Sequence, residues 1–212
     1  RNLQERCEGR LDKGIIGRYF MGISEDGEVV DWEDLVYREG VWYKKFTDVP
    51  FTGKTTGKGQ GTFEKGKEEG PWVRYWDNGE LREQGTYKNG KREGPWVNYW
   101  CNGQVIAKGN YEENVEEGFW ITYHINGQLR SKGDNKNGKK EGPWVRYWEN
   151  GELLEEGTHK NGKEEGPWVF YHESGDLWKK GNYEGGEEEG PWVVYWENGQ
   201  LAETGEYKNG DR

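Results

Sequence analysis

The chain has 212 residues, of which 15% are aromatic, 33% are charged and only 31% are hydrophobic. Its 13 Trp, 13 Tyr and 35 Gly argue against a thick aliphatic core, and the aromatic content is too high for a disordered chain. The net charge of −10 disfavours nucleic acid and anionic membranes as partners, because both are bound through basic faces.

Residues 1–60 precede the periodic part and are predicted to form an N-terminal capping segment with a divergent first hairpin. The stretch DVPFTGKTTGKGQGTFEKGKEEG resembles a shortened repeat, with Phe63 where a later repeat carries Tyr87. Repeat arrays require such caps at their open ends. If this segment folds back over the array, Cys7 and Cys101 could form a disulfide; two free thiols are the alternative.

Residues 61–212 are predicted to form an array with a strict period of 24 residues. The motif Gly-Pro-Trp, or its equivalent, places one tryptophan in every repeat: Trp72, Trp96, Trp120, Trp144, Trp168 and Trp192. A tyrosine follows three residues later, and a second ring comes next, as in Tyr75 and Trp76. Such a period is typical of repeat proteins in which each unit contacts only its neighbours.

Each repeat is predicted to be a β-hairpin followed by a second turn. Asn78-Gly79 predicts a two-residue type I′ turn, which needs positive φ at both positions. The register that follows pairs Trp76 with Leu81, Arg74 with Glu83, and Trp72 with Gly85, so that a tryptophan ring covers a glycine. Prolines such as Pro71 are placed at strand starts, where the missing N–H costs least.

These patterns predict an all-β fold, an elongated single-sheet antiparallel meander of about six 24-residue β-hairpin repeats with an N-terminal cap. At about 4.8 Å per strand, six repeats predict a body about 60 Å long. Both faces of the sheet are partly apolar. We therefore expect the sheet to coil on itself, or one face to be covered by the N-terminal segment or by a partner.

The segment GTYKNGKREGPW at 85–96 resembles the MORN motif. The longer unit, with YWENGQL between motifs, and the lead-in LVYREGVWYKKFTDVPFTGK at 35–54 resemble the MORN variant of bacterial proteins, many of which are labelled YwqK-type antitoxins. The resemblance covers about residues 35–212. It implies a twisted β-meander with a scaffolding or binding role and no activity; MORN arrays are associated with protein assembly and with phospholipid contact.

No residues point to catalysis, a cofactor or a metal ion. His124 and His172 replace the second ring of their repeats, and His159 replaces Tyr87, so we interpret all three as aromatic substitutions rather than as a ligand set. The glutamates of KEEG, VEEG and EEEG are expected to lie in turns and to be solvated. We therefore predict a protein that is not an enzyme.

The candidate partner-binding residues are Phe170, Tyr171 and Trp178 of the fifth repeat. Phe170 and Trp178 stand where other repeats carry polar or smaller residues, and Trp178 is predicted to lie opposite Tyr171. Exposed aromatic pairs suit protein hot spots or sugar stacking. The alternative is that these rings pack under a neighbouring segment.

The expected function is a non-enzymatic scaffold for protein–protein interaction or complex assembly, with a partner that has a basic surface. The alternatives are an antitoxin or immunity protein that neutralises a basic toxin, and a carbohydrate-binding repeat protein of the cell envelope. Self-association is also open. The chain contains no run of about 20 apolar residues, so no transmembrane segment is predicted. Because the chain begins with Arg1, a removed signal peptide, and so a periplasmic or secreted bacterial protein, is one expectation.

Overall fold

Within residues 27–212, the computed structural model contains 17 strands and one short 3-10 helix, Trp32–Asp34. The strands are β1 (Glu28–Asp31), β2 (Leu35–Arg38), β3 (Val41–Lys44), β4 (Gly53–Thr56), β5 (Gly59–Glu64), β6 (Lys67–Tyr75), β7 (Leu81–Lys88), β8 (Lys91–Tyr99), β9 (Val105–Glu112), β10 (Val115–Tyr123), β11 (Leu129–Lys136), β12 (Lys139–Tyr147), β13 (Leu153–Lys160), β14 (Lys163–Tyr171), β15 (Leu177–Glu184), β16 (Glu187–Tyr195) and β17 (Leu201–Tyr207).

Of these strands, 15 form one sheet, in the order β1, β4, β5 and then each strand in turn up to β17. From β4 onward the sheet is a meander of successive antiparallel hairpins, which confirms the predicted all-β fold. Two features of the N-terminal part were not predicted: β1 pairs in parallel with β4, and β2 and β3 form a separate two-stranded sheet. The predicted domain boundary at residue 60 stays a prediction.

The described chain divides into two compact units. The N-terminal unit includes the described residues up to Gln104 together with Tyr111–Asn114, and the C-terminal unit comprises Val105–Asn110 and Val115–Arg212. Cys101 is not a free thiol. The predicted pairing with Cys7 falls on a residue that lies outside the described part of the chain.

The turn at Asn78-Gly79 is not the predicted two-residue type I′ turn. The Trp76 N–H donates to the Glu80 carbonyl (2.8 Å), and only Gly79 has a positive φ, of 85°. The longer turn shifts the register after Arg74, so Leu81 pairs with Tyr75 and not with Trp76. The other two predicted pairs, Arg74 with Glu83 and Trp72 with Gly85, are confirmed.

Asn78 has a structural reason for keeping an ordinary φ. Its Oδ1 accepts from the Glu80 N–H (3.0 Å), and its Nδ2 donates to the Cys101 carbonyl (2.7 Å) in the corresponding turn of the next repeat. The type I′ geometry instead occurs at the second turn, where Asn89 and Gly90 have φ values of 52° and 77°. The two Asn-Gly pairs of a repeat therefore have different conformations: the first asparagine bonds to neighbouring turns, and the second forms the type I′ turn.

The prolines of the repeats lie inside strands, not at strand starts. In β12, Gly133 of β11 pairs with Trp144 and Asp134 pairs with Glu141, which leaves Gly142 and Pro143 without partners in β11. This is a β-bulge, one of the few places where a sheet tolerates proline. Gly142 supplies the positive φ of 73° that the bulge requires.

Each bulge tryptophan covers a glycine of the preceding strand. A Cβ atom added to Gly85 would overlap the indole ring of Trp96, whereas the ring of Trp72 lies over Gly61. The predicted contact of a tryptophan ring with a glycine is therefore present, but Gly85 is covered by Trp96 of the following strand and not by Trp72 of the preceding one. The Trp72 and Trp96 rings are also tied down by Nε1–H bonds of 3.2 Å to the carbonyls of Thr62 and Thr86.

Edge-to-face aromatic contacts form the core of each unit. In the N-terminal unit, Phe63, Trp72, Tyr87, Trp96 and Tyr111 follow one another with ring centroids 4.9–6.1 Å apart. In the C-terminal unit a similar series of contacts, here called the aromatic ladder, runs through Trp144, His159, Trp168, Tyr183, Trp192 and Tyr207, with ring centroids 5.0–6.3 Å apart. Such contacts suit the aromatic quadrupole, so rings replace the missing aliphatic core.

His159 occupies a tyrosine position of this ladder and is only 4% exposed. Burial lowers its pKa from 6.5 to about 4, with a further contribution from the nearby Lys140 cation, while the Glu164 carboxylate opposes the shift. The ring is therefore neutral near pH 7. It packs edge to face between Trp144 and Trp168, as the aromatic interpretation predicted.

This pKa predicts a pH-dependent stability. The contribution of neutral His159 is complete above pH 6.5, and the free energy of unfolding should fall by about 3 kcal/mol as the pH drops from 6.5 to about 4, because the unfolded chain binds the proton first. Urea unfolding of the wild type and of His159→Tyr across this range measures the difference. Parallel pH profiles for the two proteins would contradict the assignment.

Candidate functional site

Phe170 and Trp178 form an exposed aromatic cluster in the C-terminal unit. Their ring centroids lie 6.2 Å apart at an interplanar angle of 78°, and His172 lies 6.0 Å from Trp178. The Lys179 ammonium sits 4.6 Å from the centroid of Phe170 and 5.4 Å from that of Trp178. We call Phe170, His172, Trp178 and Lys179 the Trp178 cluster.

The cluster rests on the aromatic ladder. The Phe170 ring stacks on Trp168 with centroids 5.9 Å apart, and it lies 6.2 Å from Trp192. Phe170 is half-buried, whereas Trp178 is 39% exposed. Phe170 therefore anchors the cluster to the core and Trp178 presents its ring to solvent.

Tyr171 was predicted to lie opposite Trp178, but it does not belong to this cluster. A register shift between Phe170 and Tyr171 pairs Tyr171 with Leu177, so Trp178 does not lie opposite it. The Tyr171 hydroxyl donates to a carboxylate oxygen of Glu156 (3.1 Å). Partial burial and this carboxylate raise the pKa of Tyr171. The structure thus brings together two of the three candidate residues. The third is separated by a register shift equivalent to the one that pairs Leu81 with Tyr75 in the first repeat.

His124 and His172 replace tryptophan in geometry as well as in position. Trp76 Nε1–H donates to the Tyr99 carbonyl (3.0 Å), and Trp148 Nε1–H does the same to Tyr171 (3.2 Å). The Nε2 atoms of the two histidines lie 2.9 and 3.1 Å from the carbonyls of Tyr147 and Tyr195. Because a carbonyl only accepts, each ring donates from Nε2, which confirms the aromatic substitution.

The glutamates of the EEG segments lie in strands rather than in turns, and one in each repeat has a defined partner. The Glu69 carboxylate accepts from the Asn89 backbone N–H (2.7 Å), which is 20 residues further along the chain. The same bond recurs from Glu93, Glu117, Glu141, Glu165 and Glu189. The expectation that these carboxylates are merely solvated is therefore wrong, since each one fixes the turn of the next repeat.

A cavity of about 560 Å³ in the N-terminal unit was not predicted. Its lining includes Trp32, Trp42, Trp76 and Arg82, together with Lys58 and Asp77. Trp76 and Arg82 belong to a repeat, so the repeat pattern gives a signal by which they could be found. Trp32 and Trp42 belong to the segment without a period, which gives no such signal. Only the pairing of β1 with β4, and of β2 with β3, brings their rings against the first repeats.

A buried charge network lies at the side of this cavity. The Glu83 carboxylate accepts from Arg74 (2.5 Å) and from Arg92 (3.0 Å), and Arg74 also donates to Glu68 (3.1 Å) and to the Tyr87 hydroxyl (2.8 Å). The side chains of Glu83 and Arg74 are 7% and 16% exposed. The network is closed, so its two arginines and two glutamates balance in charge.

No helix among residues 27–212 is long and apolar enough to span a membrane. In the same range, no three His, Cys, Asp or Glu side chains are grouped so that they could hold a metal ion.

Comparison with protein-family models finds the MORN repeat variant at residues 68–89, 92–113, 140–161, 164–184 and 188–209, which together cover half of the chain. Residues 116–137, where Phe119 replaces the motif proline, fall between two matches. Comparison with the curated proteins found no match. MORN repeats are a non-enzymatic repeat family and commonly act as protein- or membrane-interaction modules. On the strength of these five matches and of the hairpin repeats they coincide with, the chain belongs to the MORN repeat variant family.

Proposed function

We propose that this protein is a non-enzymatic scaffold that binds a protein partner through the Trp178 cluster. The observation that carries the proposal is the exposed Trp178 ring held against Phe170. The equivalent positions of the other repeats carry residues of mixed character: Arg82, Ile106, Arg130, Leu154 and Ala202. The repeat fold therefore does not need a tryptophan there, and large aromatic anchors are typical of binding hot spots.

The acidic stretch that follows the cluster in the sequence favours a partner with a basic surface. From Gly181 to Tyr207 the chain carries seven glutamates and neither lysine nor arginine. The cation of the cluster, Lys179, is already paired with Glu188 (3.2 Å). Acidic surroundings around an aromatic anchor speed the encounter with a cationic partner and disfavour an anionic one.

Trp178→Ala is expected to weaken capture of the partner at least about tenfold, because the truncation removes the exposed anchor ring. Stability should change little, since Ala202 already occupies the equivalent position of another repeat. Affinity capture from the native extract, with quantitative mass spectrometry at low and high salt, measures the loss.

Leu154→Ala is the matched control, because Leu154 occupies the same position one repeat earlier. It should leave capture unchanged. Equal losses of capture for the two variants, or equal thermal destabilisation by Trp178→Ala and by a ladder variant such as Trp144→Ala, would contradict a surface site at Trp178.

A second candidate function is that of a YwqK-type antitoxin or immunity protein. The glutamate-rich stretch from Gly181 to Tyr207 favours it, because an acidic surface can neutralise a basic toxin. Co-expression with the product of the neighbouring gene, if that product is basic and toxic, tests it directly. Rescue of growth that is lost when the exposed Glu187, Glu197 and Glu206 are replaced by glutamine would support the antitoxin role.

A further inference from the structure

The cavity in the N-terminal unit has a charge imbalance that the rest of the chain does not share. Its lining carries four cations, Lys58, Arg74, Arg82 and Arg92, against the two carboxylates of Asp77 and Glu83. The whole chain, by contrast, has a net charge of −10. The lining side chains are therefore richer in cations than the glutamate-rich stretch after the Trp178 cluster, and the carboxylates that pair with them determine which cation is left for a ligand.

Most of these cations already have partners. Arg74 and Arg92 share the Glu83 carboxylate, and Arg74 also pairs with Glu68. Lys58 pairs with Asp77 at 2.8 Å and with Glu33 at 3.6 Å. Of the four cations that line the cavity, Arg82 is the one that none of these carboxylates pairs with.

Arg82 is exposed, and its guanidinium lies 5.1 Å from the centroid of the Trp76 ring. Among residues 27–212 it has no ion-pair partner. The indole ring restricts the guanidinium to one side, and Trp76 is itself held by its bond to the Tyr99 carbonyl. A guanidinium fixed on an aromatic face presents its N–H groups in a plane, which suits bidentate binding of a planar anion.

We propose that this cavity binds the carboxylate of an aspartate or glutamate side chain of a partner polypeptide, with Arg82 as its cation and Trp76 and Trp32 as the apolar wall. One unpaired guanidinium matches one negative charge. A phosphate dianion would face the Asp77 and Glu83 carboxylates with only that single cation to compensate, and the same repulsion disfavours an anionic lipid surface.

The form of the cavity is consistent with a side chain entering from outside. Its volume of about 560 Å³ lies within the range of small-ligand sites. Arg82 and Asp77 are both exposed, so the cavity is open to solvent on their side. A polypeptide could lie there with its backbone outside and one acidic side chain inserted. This site lies in the N-terminal unit, and it does not depend on the proposed role of Trp178.

The test uses the full chain labelled with nitrogen-15 and the indole N–H signals of its tryptophans. The probe is the peptide acetyl-Leu-Glu-Leu-amide, compared with its glutamine and phosphoserine counterparts and with vesicles containing phosphatidylserine. We expect saturable shifts of the Trp76 and Trp32 signals with the glutamate peptide. The glutamine peptide should bind at least about tenfold more weakly, because it lacks the charge-assisted bonds.

Arg82→Gln should weaken binding of the glutamate peptide at least about tenfold without loss of the fold, since Ile106 and Ala202 occupy the same position elsewhere. Arg130→Gln is the matched control: it removes an exposed arginine from the same position of another repeat and should change binding less than about twofold. Equal binding of the glutamine peptide, tighter binding of the phosphoserine peptide or the vesicles, or equal effects of the two arginine variants would each overturn the proposal.

Discussion

Trp144→Ala is expected to lower the free energy of unfolding by about 3–5 kcal/mol, as for the loss of a large buried ring. Trp144 is 7% exposed, and its indole lies directly over Gly133. The glycine has no side chain that could fill the space, so the truncation leaves a cavity. It also removes the Nε1–H bond to the Asp134 carbonyl (2.9 Å) and the edge-to-face contact with His159.

Urea unfolding followed by circular dichroism measures this loss, and hydrogen exchange locates it. Because a repeat contacts mainly its neighbours, amides of β11, β12 and β13 should exchange faster while β6 and β7 change little. Trp178→Ala is the control for loss of an indole at an exposed position. A loss of less than about 1 kcal/mol for Trp144→Ala would mean that the rings of the aromatic ladder are not the main source of the folding stability.

Glu83→Ala is expected to cost a similar amount, about 3–5 kcal/mol, because it removes the shared partner of two arginines. Burial by itself lowers the pKa of Arg74, but Tyr87 and Glu83 outweigh it and raise the pKa. Arg74 therefore remains charged after the substitution, and only Glu68 and the Tyr87 hydroxyl remain to satisfy it. Thermal and urea unfolding of the full chain measure the cost.

The next repeat supplies a compensating variant. Asn98 and Ala107 stand where the first repeat carries Arg74 and Glu83. The double variant Arg74→Asn with Glu83→Ala copies this pair, and we expect it to recover part of the lost stability, because the more buried arginine is then no longer left without its carboxylate. Water can reach Arg92, whose side chain is 30% exposed, and Glu68 keeps the bond from the Trp42 Nε1–H. A double variant as unstable as Glu83→Ala alone would show that the destabilisation does not come from the uncompensated Arg74 charge.

Glu155→Ala provides the exposed counterpart of the same pair. Arg146 donates to Glu155 at 2.8 Å, but the Arg146 side chain is 41% exposed. Water can replace the lost carboxylate there, so we expect a cost of at most about 1 kcal/mol. The contrast between the two repeats separates the effect of burial from the effect of the ion pair itself.

The sequence by itself determined the hairpin repeat, its period and the chemical class of its core. The 24-residue spacing of Trp72 and its equivalents, the Asn-Gly turns, and the histidines that replace rings are signals that act within one repeat. They therefore survive without knowledge of the contacts between repeats. The pairs Arg74 with Glu83 and Trp72 with Gly85 followed from the hairpin alone and are present in the structure.

Only the tertiary structure decided which side chains meet. In a strand, a register shift of one residue turns every later side chain to the other face. The longer turn at Ser174-Gly175, which is the fifth-repeat equivalent of Asn78-Gly79, was enough to separate Trp178 from Tyr171 and to place it beside Phe170. The bond from Asn89 to Glu69 crosses between repeats. The rings of Trp32 and Trp42 come from a segment without a period. Such contacts depend on how neighbouring strands are stacked, and no short-range pattern in the sequence records them.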